Sequence, residues 1–95
     1  MHMVRHYVVK GRVQGVGFRW LVHREAGVRG LKGWVRNTDT GEVEIMVAGS
    51  EEKLAELRAV LERGSRGSRV DGVHESNMDD AMADGLESFQ IEGAW

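Results

Sequence analysis

The residues with the most chemical potential lie in one short run, G-R-V-Q-G-V-G-F-R at positions 11–19. Glycines at 15 and 17 permit positive φ, so successive backbone N–H groups can point into one concavity. A helix starting after them adds its unpaired first-turn N–H groups and the positive end of its dipole. Such a cradle suits a phosphate. Arg19, in the first turn, could return its guanidinium to the same place and hold two oxygens at once. The string lacks the G-K-S/T of a P-loop, and Trp20 stands where a dinucleotide fingerprint needs its third glycine. What remains is a small anion. Residue types alone also allow a plainer reading, in which Gly15 and Gly17 only make a tight strand-to-helix turn and Arg19 is solvated.

A second candidate is Asn37, at the end of G-L-K-G-W-V-R-N, residues 30–37. A carboxamide both accepts and donates, so beside a bound phosphate it could orient a water molecule. The plainer alternative is a turn residue opening a hairpin. Arg36 and Asp39 read as turn-flanking charges and Trp34 as a core residue.

The elements that would position these residues follow from apolar spacing. Alternation from Met3 through Val9 predicts a first strand reaching about Val13. Phe18, Leu21, Val22 and Ala26 fall at helical spacing, and Gly27 or Gly30 can stop that helix. A strand from Leu31 to about Arg36 precedes the turn-like N-T-D-T-G, and Glu42 to Val47 reads as its hairpin partner. Ser50 can cap a second helix, with Glu51 and Glu52 against its dipole, Leu54, Leu57, Val60 and Leu61 as its apolar stripe and Gly64 at its end. G-S-R-G-S reads as a loop, Arg69 to His74 as a fourth strand and Phe89 to Ile91 as a short last one. Between them, S-N-M-D-D-A-M-A-D-G fits either a loop or a short helical turn.

Strand–helix–strand–strand–helix–strand is the split β-α-β order: an α+β sandwich with an antiparallel sheet and two helices on one face. The first two strands then run in the same direction, joined by a right-handed crossover helix. Their C-terminal ends meet at one end of the sheet. The loop 13–18 and Asn37 should therefore be neighbours in space.

Bulk composition narrows the class. Ninety-five residues fit one domain, 1–95, and 41% hydrophobic with 29% charged residues is ordinary for a soluble globular chain. Cysteine is absent, which excludes disulfide and thiolate chemistry, and no apolar run approaches the ~18–20 residues of a membrane span. No signal-peptide pattern opens the chain, so the cytoplasm is the expected compartment. Net charge is −2, yet residues 1–36 carry eight Lys or Arg against one acid, while residues 71–95 carry seven acids and no Lys or Arg. An anion handled by the first third is one explanation; mutual attraction of the two ends, or simple solvation, is another.

Taken together, the segments at 11–19 and 30–41 resemble the two signatures of the acylphosphatase family. The similarity runs on through V-E-I-M-V-A-G-S-E-E-K-L to the final F-Q-I, over nearly the whole chain. The resemblance implies a ferredoxin-like βαββαβ sandwich and metal-independent hydrolysis of the carboxyl–phosphate bond of acyl phosphates, with no cofactor. It implies a phosphate loop acting through the backbone of Val13, Gln14, Gly15, Val16, Gly17 and Phe18. Arg19 matches the catalytic arginine and Asn37 the asparagine that positions the attacking water. Inorganic phosphate is then product and competitor, and the expected unit is a monomer without nucleic-acid or membrane partners. The chain departs from the common pattern where members often have a proline and it has Gly64-Ser65-Arg66-Gly67, a loop expected to lie far from both signatures.

Other classes compete. A non-catalytic RNA- or anion-binding module on the same fold agrees with the basic first third. Its six aromatic residues, Tyr7, Phe18, Trp20, Trp34, Phe89 and Trp95, do not form the paired stacking platform of an RNA-binding sheet. A regulatory domain detached from a larger enzyme would be an obligate oligomer. A metal site is the weakest idea: His2 and His6 share a strand face, while His23 and His74 lie elsewhere.

Overall fold

The computed structural model describes residues 3–93. Strands β1 (Met3–Arg12), β2 (Lys32–Asn37), β3 (Val43–Gly49), β4 (Arg69–Met78) and β5 (Phe89–Ile91) alternate with helices α1 (Phe18–Val28) and α2 (Glu51–Arg63). The sheet order is β4-β1-β3-β2-β5. β1 pairs antiparallel with β3 and β4, and β2 antiparallel with β3. The two-layer α+β sandwich is the one expected. One detail differs: β5 lies parallel to β2, so the sheet is mixed at that edge.

Period-2 alternation sorts the strand residues onto two faces. Tyr7, Val9, Val35, Val43, Ile45 and Val47 face the helices and pack with Phe18, Val22 and Ala26 of α1 and Leu54, Leu57 and Leu61 of α2. Burial of this set, at ~1.5–3 kcal/mol for each large side chain, is what holds α1 and α2 to the sheet. Tyr7 is so enclosed that burial pushes its phenol up to about 12. On α1, Gly30 N–H donates to Gly27 O (3.1 Å) and Leu31 N–H to Ala26 O (3.0 Å), so Gly30 rather than Gly27 is the stop. Arg29 then ties the helices together through Glu25 and Glu56, each at 3.0 Å. Hydrogen bonds from Arg29, then Arg24, hold the Glu25 carboxyl below its ordinary range.

The second face carries a smaller cluster, Val4, Met46 and Ala48, with Trp34, Met78, Ala83 and Leu86 packed against it. It explains the stretch that pattern alone left open. β4 continues to Met78, four residues beyond the expected His74, because β1 supplies backbone partners through Ser76↔His6 and Met78↔Val4. Asp79 Oδ1 then accepts from Ala81 N–H (2.9 Å) and caps a single 3₁₀ turn, Asp80–Ala83. The connection runs from the β4 edge to the opposite β5 edge, laying Ala83 and Leu86 on the sheet as it goes. Trp34 consequently packs on this outer cluster, with the Arg36 guanidinium 4.6 Å from its ring centroid, rather than in the main core. No helix among the described residues is long and apolar enough to cross a membrane.

Candidate functional site

β1 and β2 point the same way, with β3 between them, so the loop after β1 and the end of β2 meet at one end of the sheet. A cleft of about 240 Å³ opens there, lined by Val13, Gly15, Gly17, Phe18, Arg19, Trp20 and Asn37. Arg19 and Asn37 thus share one cavity. Of the expected loop residues, Val13 and Phe18 are also buried in the main core, which anchors both ends of the loop.

Gly15 and Gly17 take φ of 74° and 77°. Side chains with a Cβ adopt that region at a cost of roughly 1–2 kcal/mol, so glycine here sets the path of the loop. Among the described residues, the N–H groups of Gly15, Val16, Gly17 and Phe18 donate to no backbone carbonyl. Gly17 is the N-cap of α1, with no side-chain cap and no acid in the first turn. The positive end of α1 is therefore neither capped by a side chain nor neutralised.

Asn37 ends β2 opposite Val43. Its Oδ1 is buried and accepts no hydrogen bond from any described residue. An unsatisfied buried polar atom costs ~1–3 kcal/mol, so the fold keeps this oxygen without a donor against its own stability. Arg19 leaves the second position of α1, and its Nη1 donates to Glu92 O at 3.3 Å, beyond the end of β5. Glu92 N–H in turn donates to Val35 O at 2.8 Å, which fixes that carbonyl to β2.

Gln14, expected to act through its backbone, also does something with its side chain. Its Nε2 donates to Thr38 O (2.9 Å) and to Glu42 O (2.8 Å), bridging the loop to the mouth of the β2–β3 hairpin. Thr38 directly follows Asn37, so this amide sets the spacing between loop and carboxamide. Within the hairpin, Thr38 N–H donates to Glu42 O and Glu42 N–H to Thr38 Oγ1.

The loop 64–67 requires a correction. It does not lie far from the signatures: Ser65 Oγ donates to Val16 O at 2.9 Å, and a larger groove runs between α1 and this loop. Chain direction carried the signal. β3 runs opposite to β1, so α2 climbs back to the end where α1 begins and must deliver its following loop there.

The basic surplus of the first third is mostly consumed elsewhere. Arg5 pairs with Glu75 (3.4 Å), Lys10 with Glu42 (3.5 Å), Arg24 with Glu25 (3.1 Å) and Arg36 with Glu44 (2.8 Å). His6 Nε2 sits 2.7 Å from Glu44 on the outer face. Burial raises the Glu44 carboxyl, but hydrogen bonds from His6 and Arg36 outweigh it and leave it below the ordinary range. Among the described residues, no three His, Asp or Glu side chains come together in a way that could hold a metal ion. His2 and Trp95 lie outside the described residues.

Fold and cleft together define a ferredoxin-like sandwich whose first strand-to-helix loop faces the end of its second strand. A family model described as Acylphosphatase matches residues 5–91. An acylphosphatase from Koribacter versatilis is 50% identical over 91 residues, covering 96% of this chain and 81% of that protein. One from Bacillus pumilus is 40% identical, covering 93% and 96%. The crystal structure of acylphosphatase from Bacillus subtilis superposes with a TM-score of 0.89 at 39% identity, over 98% of this chain and all of that one. The chain belongs to the acylphosphatase family, whose members are hydrolases acting on acyl phosphates.

Proposed function

We propose that this chain hydrolyses acyl phosphates in the cleft between Arg19 and Asn37, without a metal ion. Backbone N–H groups of residues 13–18 and the Arg19 guanidinium hold the phosphoryl oxygens, and Asn37 aims a water molecule at phosphorus. The observation that supports this most is that Asn37, whose buried Oδ1 accepts no hydrogen bond from a described residue, lines the same cavity as Arg19. A water O–H is the donor it lacks. The water oxygen forms the new bond to phosphorus as the opposite P–O bond breaks, and the acyl carboxylate departs with that electron pair. The cleft lining contains no carboxylate and no imidazole among the described residues, so a phosphoryl oxygen takes the water's proton. A carboxylate needs little acid assistance to leave. Catalysis is then positioning plus charge stabilisation.

The same reading makes residues 1–95 one functional unit, a monomer in the cytoplasm, with inorganic phosphate as a competitive product. Its test is an assay of acetyl phosphate hydrolysis in the presence of a chelator, with added inorganic phosphate. Rapid turnover that phosphate inhibits competitively is expected. Phosphate binding without turnover would contradict the reading and leave a binding module in its place.

A further inference from the structure

Alternation along β1 puts an arginine where an apolar side chain belongs. Met3, Tyr7 and Val9 pack in the main core, and Arg5 leaves the strand on the same face, its side chain only 14% exposed. A guanidinium carries several N–H donors, and those of Arg5 find little. Nη1 donates to Val4 O at 3.4 Å, Nη2 to Met3 Sδ at 3.7 Å, and Nε stands 3.4 Å from Glu75 Oε2. The other Glu75 oxygen accepts from Arg58 Nη1 at 2.6 Å, so one carboxylate serves both cations. Tyr7 is in a similar position. It is 1% exposed, and its hydroxyl hydrogen-bonds to no described residue.

Arg5 and Tyr7 share a cavity of about 170 Å³ between α2 and strands β1 and β4, which Leu54, Ala55, Arg58 and Glu75 also line. Besides burial, the charges that act on the Tyr7 phenol are those of Glu75, Arg5 and Arg58, so the hydroxyl end of the ring lies among them. Gly49, just before α2, pairs with Met3 at the start of β1, so this cavity lies at the end of the sheet away from Arg19 and Asn37.

We propose that this cavity is a second binding site, for a small aliphatic carboxylate held by the Arg5 guanidinium and the Tyr7 hydroxyl. One carboxylate oxygen accepts from Arg5 and the other from Tyr7 O–H, supplying the acceptors that both side chains lack. Leu54 and Ala55 give the alkyl group an apolar wall. The volume, several times the ~30 Å³ share of one water, admits acetate or propionate. Charge limits the ligand to a monoanion. Glu75 and the exposed Glu51 line the cavity too and offset its two arginines, so a phosphate dianion is disfavoured.

The test is an NMR titration of the isotopically labelled chain with sodium acetate at constant ionic strength, on wild type, Tyr7→Phe and Arg5→Gln. Saturable shifts are expected in the wild type for the backbone amides of residues 5–7, 54–58 and 75. Tyr7→Phe keeps the ring in the core and removes only the hydroxyl. Its acetate Kd should rise about tenfold, the worth of one hydrogen bond to a charged group, and that of Arg5→Gln by as much or more. Sodium phosphate at the same ionic strength should leave these amides unmoved. Shifts that stay linear in acetate, or an affinity that Tyr7→Phe leaves unchanged, would overturn the proposal. An equal response to phosphate would overturn the choice of a carboxylate. Saturation confined to residues 15–19 would overturn the second site, since acetate would then bind only at the open end of α1.

Discussion

The two helices of this fold begin in opposite ways. At α2, Ser50 Oγ accepts from Lys53 N–H at 3.2 Å, and Glu51 and Glu52 sit in the first turn against the dipole. At α1, the N-cap is Gly17, which has no side chain to close the turn, and no acid lies in the first turn. Sealing a helix start with Ser or Thr is worth ~0.5–2 kcal/mol, and a carboxylate beside the dipole ~0.3–1 kcal/mol. The chain takes both gains where only packing is at stake and forgoes both where the cleft opens. Together with the unsatisfied Asn37 oxygen, this marks a region kept polar and unpaired at a cost in stability.

That contrast can be broken most severely at Arg19. Replacing it with Ala removes up to two charge-assisted hydrogen bonds of ~1.5–3 kcal/mol each, so kcat/KM should fall by ~10²- to ~10⁴-fold. Arg19→Lys should not rescue it, because the planar fork is lost. Asn37→Ala should lose ~10²-fold in kcat while its inhibition by inorganic phosphate stays near wild type. A folded Asn37→Ala chain that turns over normally would refute the assignment of the water.

Gln14→Met keeps the bulk and removes both donors to the hairpin. A drop of about tenfold in kcat is expected, with a smaller change in KM, since water and phosphorus lose their alignment. If KM rose and kcat held, the amide would matter for binding and not for spacing.

The opposite pole of the comparison predicts a smaller effect of another kind. Ser50→Ala should cost ~1 kcal/mol in denaturant unfolding and leave kcat untouched. Smaller still is Glu25→Gln, whose partners Arg29 and Arg24 are partly exposed, so less than ~1 kcal/mol is expected at neutral pH. The Glu25 carboxyl titrates below its ordinary 4.5 in the folded chain, so the native state binds fewer protons there. Its contribution is complete above that ordinary value and disappears as pH falls through the folded one. Unfolding curves of wild type and Glu25→Gln should therefore converge in acid, and a gap that persists there would contradict the ion-pair account.

How far the sequence reaches depends on whether a feature is local. The helices were readable because Ser50, Gly64 and the leucines of α2 act within one turn of each other, and so was the meeting of Asn37 with the glycine loop, which follows from strand direction. β4 beyond His74 was not readable: Ser76 and Asn77 carry no apolar alternation, and only pairing with β1 extends the strand. The side-chain role of Gln14 was equally hidden, because a glutamine between apolar residues has no pattern that names its acceptors. Ser65 is different. Its position against Val16 follows from the direction of α2, which no local pattern around residues 64–67 announces.

The most direct measurement is a titration of the isotopically labelled chain with inorganic phosphate, followed by NMR at the two helix starts. Saturable shifts are expected for the backbone amides of residues 15–19 and the Asn37 carboxamide, with those of residues 51–53 unmoved. Absence of saturation at 15–19, or equal response at both helix starts, would mean that the open end of α1 is not a phosphate site.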